Sequence, residues 1–145
     1  MIVKVAPFED VFLVHCSIPE FCDSKYKNRD YFTKRYCDKV HLNLCVYEKN
    51  EPVGYSVWYE KEEDGSLYCW MVGVIPAFRR KGVLSLMMQF GEDWARKRGY
   101  STLSIKTRNS RREMLSYLIL HEYLVLEVEK WDTLIENRIL LQKDL

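Results

Sequence analysis

Val74-Ile75-Pro76-Ala77-Phe78-Arg79-Arg80-Lys81-Gly82-Val83 joins an apolar run to an amphipathic pattern through a basic turn that contains a single glycine. Backbone N–H groups at a helix N-terminus have no partner inside the helix, and the positive end of the helix dipole lies there. An anion can therefore be held by main chain alone. Arg79, Arg80 and Lys81 add long-range attraction. The layout is that of a phosphate-binding turn, to be weighed against a solvated charge cluster at a strand–helix junction.

Working outward from the turn, Ser66 to Val74 reads as a strand. From Val83 to Arg98 the apolar residues Val83, Leu86, Met87, Phe90 and Trp94 recur every three or four positions, as on a helix packed against a sheet, and Gly99 ends it. Upstream, Ile2 to Ala6 alternates as a strand, Pro7 closes it, and Phe8 to Cys16 has helical spacing. Glu20 to Cys37 reads as a second helical region, aromatic and locally basic, with Pro19 able to start it. Leu42 to Tyr47 and Val53 to Glu60 form a hairpin across Lys49-Asn50-Glu51-Pro52, and Glu62-Glu63-Asp64-Gly65 leads into the third strand of a meander. Beyond Gly99, Ser101 to Lys106 is a strand, Arg111 to His121 a helix, and Tyr123 to Val128 and Asn137 to Leu141 two further strands. The expectation is an α/β fold with a mixed, mostly antiparallel sheet of about seven strands flanked by about four helices, in the order β-α-α-β-β-β-α-β-α-β-β.

At 145 residues, with 48% hydrophobic and 14% aromatic content, the chain suits a single domain over 1–145. A net charge of +1 gives no global field toward nucleic acid or an acidic membrane. Apolar stretches are broken by charge before they could span a bilayer, and the first residues read as a strand, so a soluble cytoplasmic protein is expected. The cysteines Cys16, Cys22, Cys37, Cys45 and Cys69 form no C-x-x-C pair and suit reduced thiols. A zinc site from His15, Cys16, Cys22, Cys37 and His41 lacks close ligand pairs, and no metal is expected.

Arg79-x-x-Gly82 after a strand ending in Val-x-Pro resembles motif A of the GNAT (GCN5-related N-acetyltransferase) acyltransferases, an R/Q-x-x-G-x-G/A turn that binds the pyrophosphate of acetyl-CoA. Leu84 stands where that motif has Gly or Ala. Ile18-Pro19-Glu20-Phe21, Tyr68-Cys69-Trp70-Met71-Val72-Gly73-Val74 and Lys106-Thr107-Arg108-Asn109 followed by Met114-Leu115 are similar to a GNAT subgroup in which I-P-E-F, Y-x-W-x-x-G-V and K-T-x-N…M-L segments recur together. The ending Asn137 to Lys143 resembles its last strand. Glu122-Tyr123 departs from the usual Gly-Phe, and glutamate adopts the left-handed helix stop only at a steric cost.

The resemblance implies an N-acetyltransferase that moves an acetyl group from acetyl-CoA to a primary amine by direct attack in a ternary complex. The alternative is a CoA-binding module of the same fold that acts through a partner. Met71, Val72, Gly73 and Val74 would present backbone to the pantetheine and thioester, with Gly73 allowing close approach. The amides of Arg79, Arg80, Lys81, Gly82, Val83 and Leu84 would hold the pyrophosphate. Asn109 would touch the pantetheine or cap the next helix. Tyr117 is the tyrosine of that helix, one residue out of phase with the thiolate acid of many family members, and can equally be a packing residue. Glu20 is a candidate base or a helix-start carboxylate. Tyr26, Tyr31, Tyr36, Trp58, Tyr59 and Trp70 could wall an acceptor pocket or serve as core. The basic excess between Lys25 and Lys39 disfavours a polyamine and suits an amine that also bears a carboxylate or phosphate. The acceptor is a small molecule or peptide, with no nucleic acid or membrane partner expected, and the chain a monomer or homodimer.

Overall fold

A computed structural model of the chain describes residues 1–21 and 25–145, so Cys22 of the considered zinc set lies outside the described residues. Strand β1 (Ile2–Val5) leads into helix α1 (Phe8–Cys16), two single 3-10 turns and the short helix α2 (Arg29–Lys34). Strands β2 (His41–Glu48), β3 (Glu51–Tyr59) and β4 (Ser66–Val74) follow as a meander. Helix α3 (Val83–Lys97), strand β5 (Thr102–Arg108), helix α4 (Arg112–Leu120) and strands β6 (Leu124–Glu129) and β7 (Arg138–Asp144) complete the chain. The seven strands form one sheet in the order β1-β2-β3-β4-β5-β7-β6, with β4 and β5 parallel and every other pair antiparallel. This is the expected α/β order. The corrections are local: among the described residues, Glu20 to Cys37 holds 3-10 turns and six α-helical residues capped by Asn28, whose side chain accepts from the Tyr31 amide, rather than the helical region read from sequence.

Lys49 and Asn50 carry the β2–β3 hairpin at φ 50° and 67°, two left-handed residues in a tight turn. Strand β2 then runs one residue beyond the read positions at each end, while β3 starts two residues earlier than read and ends one residue sooner. One core lies between the sheet and α3/α4, around Leu44, Trp58, Leu67, Met88, Leu103 and Leu118. A second lies under α1 and α2, around Val11, Val14, Phe32, Tyr55 and Val57. Strand β6 forms an edge of the sheet and is largely exposed, Leu124 and Leu126 included. Among the described residues no helix is long and apolar enough to cross a membrane.

Helix α3 lies close on the sheet because glycine occurs at both contacts. A Cβ on Gly54 of β3 would come within 2.5 Å of Val83 Cγ1, and one on Gly91 of α3 within 2.4 Å of the Trp58 ring. Near the helix's C-terminal half, the buried Glu92 carboxylate accepts from the Tyr123 hydroxyl at 3.0 Å and pairs with Lys143 of β7 at 3.1 Å. The helix is thereby fixed at both ends.

Helix α4 stops as the sequence suggested it would, at a cost. Glu122 sits at φ 71°, with the Tyr123 amide donating to the Leu118 carbonyl and the Glu122 amide to Ile119. A left-handed β-carbon costs about 1 kcal/mol. Glu122→Gly is therefore expected to stabilise the protein by about 1 kcal/mol and raise Tm by about 2–5 °C in a thermal melt.

His15 of α1 is fully buried among Phe12, Phe21 and Phe32, and its Nδ1 shares a hydrogen bond of 2.6 Å with the Tyr55 hydroxyl. Burial pushes its pKa down from 6.5 to about 4, with a smaller opposing pull from the Tyr26 backbone. The unfolded chain then binds the extra proton first. This contribution to stability is complete above about pH 6.5 and is lost as pH falls toward 4, by roughly 3 kcal/mol at most. Urea titrations between pH 7 and 4 should show that loss, and His15→Gln should flatten this part of the profile.

Candidate active site

The basic turn occupies the end of β4 and the start of α3. After a 3-10 turn at Pro76–Phe78 the chain passes through Arg80 at φ 60° and Gly82 at φ 85°, two left-handed positions, and enters α3 at Val83. Among the described residues the amides of Arg80, Lys81, Gly82, Val83, Leu84 and Ser85 donate to no carbonyl; the first α3 bond is from the Leu86 amide to the Gly82 carbonyl at 3.1 Å. A Cβ on Gly82 would meet nothing within 4 Å, so the space before these amides is open. Leu84 does not fill it. Its side chain is half-buried against the α3/α4 core, so the turn stays as wide as a smaller residue would leave it.

The basic side chains are partly committed. Arg79 Nε donates to the Val74 carbonyl at 3.0 Å, and its guanidinium meets Glu20 at 2.8 Å. Arg111, at the start of α4, lies 3.8 Å from the same carboxylate. Glu20 thus ties the segment after α1 to the turn and to α4. The Arg79 hydrogen bond chiefly holds its carboxyl below the usual range, against a smaller effect of burial. Such a group is charged but weakly basic, which argues against the base role considered for it. Arg80 reaches Glu113 of α4 at 3.3 Å in full solvent, and Lys81 lies over the Phe78 ring.

Beside the turn, the sheet opens. Strands β4 and β5 pair only from Ser66↔Thr102 to Cys69↔Ile105. From Trp70 onward β4 has β3 on one side and no strand on the other, and a bulge at Trp70 lies where the separation begins. Met71, Val72, Gly73 and Val74 all lie on this open stretch. Gly73 also has a packing reason. A Cβ there would come within 2.3 Å of Ile18 Cδ1 and 2.7 Å of Tyr55 Cε1, so the missing side chain makes room for the Ile18-Pro19-Glu20-Phe21 segment.

Asn109 is likewise engaged. Its Nδ2 donates to the Leu134 carbonyl at 3.0 Å and its Oδ1 accepts from Arg112, so it fastens the end of β5 to the chain before β7 and does not cap α4. Tyr117 is half-buried between α4 and α3, its ring stacked on His121 at 3.8 Å and its hydroxyl directed at Ser85 in the first turn of α3. Burial raises its pKa, so the phenol is protonated at neutral pH.

On the far side of the opening lies a cavity of about 270 Å³, lined by Tyr26, Tyr68, Trp70 and Met71 and by the cations Arg35, Lys61, Lys106, Arg108 and Arg138. Of the six aromatics considered for a pocket, Tyr26 and Trp70 line it, whereas Trp58, Tyr36 and Tyr59 are buried core and Tyr31 lies outside its lining. Sequence reasoning missed Lys61, Lys106, Arg108 and Arg138. The one available signal was Lys106 and Arg108 at i, i+2, on one face of a strand. Among the described residues no group of three His, Cys, Asp or Glu side chains could hold a metal.

The acetyltransferase (GNAT) family model matches residues 9–118. By sequence, no curated protein matches the chain. Solved structures agree in fold. The ribosomal-protein-S18-alanine N-acetyltransferase of Escherichia coli superposes with TM-score 0.82 at 12% identity, covering 99% of this chain and 92% of that one. Ard1 of Thermoplasma volcanium gives 0.81 at 13%, over 99% and 97%. A GNAT family acetyltransferase of Elizabethkingia anophelis, solved with acetyl-CoA bound, gives 0.75 at 16%, over 99% and 97%.

Gly73→Ala should destabilise the protein by about 1–3 kcal/mol through overpacking. Adding Ile18→Val, which removes the closest carbon, should return part of that loss, and denaturant midpoints of the two single variants and the double variant measure the coupling.

Proposed function

The chain belongs to the GNAT acetyltransferase family, and on that premise we propose that it transfers an acetyl group from acetyl-CoA to a primary amine by direct attack within a ternary complex. The observation that carries this reading is the run of unpaired amides from Arg80 to Ser85, which opens beside the unpaired edge of β4. A pyrophosphate fits the first because it needs several converging N–H donors and little else. The polar arm and thioester of the same molecule fit the second, where free strand N–H and C=O groups take the place of a missing neighbour.

In this reading the turn amides anchor the donor, with Arg79 oriented by Glu20 and by the Val74 carbonyl. Backbone N–H groups of the stretch Met71 to Val74 polarise the thioester carbonyl. The amine nitrogen attacks that carbon, the C–S bond breaks, and the thiolate takes a proton. Tyr117, protonated and beside the first turn of α3, is the assigned donor of that proton. The amine's proton leaves to solvent water. Glu20, held ionised by Arg79, is a positioning residue here rather than the base.

Isothermal calorimetry should show one CoA per chain with micromolar affinity. Gly82→Val, whose β-carbon meets nothing but whose φ must be left-handed, should fold with about 1–2 kcal/mol lost and weaken CoA binding by about tenfold or more. Tyr117→Phe should leave CoA affinity unchanged and lower kcat by about 100-fold. Absence of CoA binding by the wild-type chain would sink the proposal.

A further inference from the structure

The cavity beside the opened strands carries more positive charge than the described structure neutralises. Lys106 pairs with Glu129 at 2.7 Å, while Arg108 and Arg138 share Glu136 at 3.3 and 3.8 Å. Arg35 and Lys61 have no carboxylate within 4 Å among the described residues. Three cations thus divide two carboxylates, and two have none. Arg108 and Arg138 are moreover direct cross-strand partners on β5 and β7, an arrangement of like charges that costs stability. Burial, and then the charge of Arg108, holds the Arg138 guanidinium below its ordinary pKa.

Arg35 is the most telling of the five. It comes from the residue after α2 and lies half-buried, its Nε donating to the Tyr59 hydroxyl at 2.9 Å and its Nη1 to the Tyr26 hydroxyl at 2.7 Å, with the Trp70 ring 5.1 Å away. Neutral oxygens and a ring face orient a guanidinium without cancelling its charge. Burial works against the charge, but the hydrogen bond to Tyr59 and the Tyr59 and Tyr26 oxygens outweigh it and hold the pKa above its ordinary value, so the guanidinium stays charged and presents that charge to the cavity. Meanwhile the other end of the cavity reaches Met71, the residue after the bulge, where the unpaired edge of β4 begins.

Resting on the acetyltransferase reading, we propose that the acceptor is a small amine bearing an anionic group, a carboxylate or a phosphate, which Arg35 binds in a seat completed by Lys61 and Arg138. Its amine faces Met71 and the thioester. The volume of about 270 Å³ suits a molecule of amino-acid size. Tyr68 and Trp70 contact its carbon skeleton. The reaction balances as the neutral amine plus thioester giving the N-acetyl amide plus thiol, with the anionic group unchanged. Nothing in the seat favours a polyamine, which five cations would repel.

The test pairs acceptors that differ only in the anion. Thiol release from acetyl-CoA is followed with phenylalanine against phenethylamine, and with phosphoethanolamine against ethanolamine. The same compounds are titrated by calorimetry against the chain saturated with a non-hydrolysable thioether analogue of acetyl-CoA. At least one anionic member should bind and turn over at least tenfold better than its neutral counterpart, and the two pairs separate carboxylate from phosphate recognition. Arg35→Gln should raise KM for that acceptor at least tenfold with less than threefold change in kcat or in CoA affinity, and Arg35→Lys should recover part of the loss. Thermal melts of both variants check that they fold. Binding of an anionic amine without any thiol release upholds the seat and overturns the transferase reading. Turnover only of neutral or cationic amines upholds the transferase and overturns the seat, as does an unchanged KM in folded Arg35→Gln or failure of every anionic amine to bind.

Discussion

Everything functional in this molecule depends on how closely α3 lies against the sheet. The distance is set by two absent side chains: Gly54 receives Val83, the first residue of the helix, and Gly91 receives the Trp58 indole. Any β-carbon at either place would lift the helix, and with it the six free amides that precede and open it. The buried Glu92, bonded to Tyr123 and Lys143, fixes the opposite end. A buried ion pair is an uncertain source of stability, but it has only one satisfactory geometry, so it sets the rotation of the helix about its axis. The open row of amides at the turn is therefore a property of helix packing more than of the turn's own basic side chains.

The ion pairs around the turn support the same view. Arg79, the residue that most invites reading as a phosphate ligand, is already bound on two sides, to Val74 and to Glu20. Its fixed fork closes a link between the segment after α1, the end of β4 and, through Arg111, the start of α4. The carboxylate keeps the two guanidinium groups near one another without repulsion. What remains open toward solvent is main chain, whose donors have no side-chain entropy to lose when they engage.

The sequence pattern was legible wherever one element explains its own residues. Helical spacing of Val83, Leu86, Met87 and Phe90, the turn residues between the strands of the meander, and the departure at Glu122 all have local causes, and the element order follows from them. Where the meaning of a residue lies across the fold, the pattern was mute or misleading. Gly73 reads as a place for a ligand, and its packing reason lies with Ile18 and Tyr55, remote in sequence. Leu84 departs from the motif, and whether its side chain enters the turn or the core depends on a core that only the assembled sheet creates. The continuous helical reading from Glu20 to Cys37 failed because apolar and aromatic residues there pack on α1 and β4 from short turns, at spacings a helix would also satisfy. The cations of the cavity arrive from the end of α2, the β3–β4 loop, β5 and β7, and no window of sequence contains them together.

The four residue pairs that join β4 to β5 have a consequence for how such a protein can change over generations. Backbone pairing holds the two halves of the sheet together only from Cys69 and Ile105 back to Ser66 and Thr102. Side chains of the surrounding core, among them Leu67 and Leu103 of the paired stretch with Met88 and Leu118, meet behind the sheet at this junction. Cores respond to a single methylene, and they do so by shifting whole elements. Substitutions that never touch a ligand can thus widen or narrow the gap. On the proposed reading, acceptor selectivity is heritable through packing residues as well as through contact residues, and a lineage can explore new acceptors while the turn assigned to the donor stays as it is.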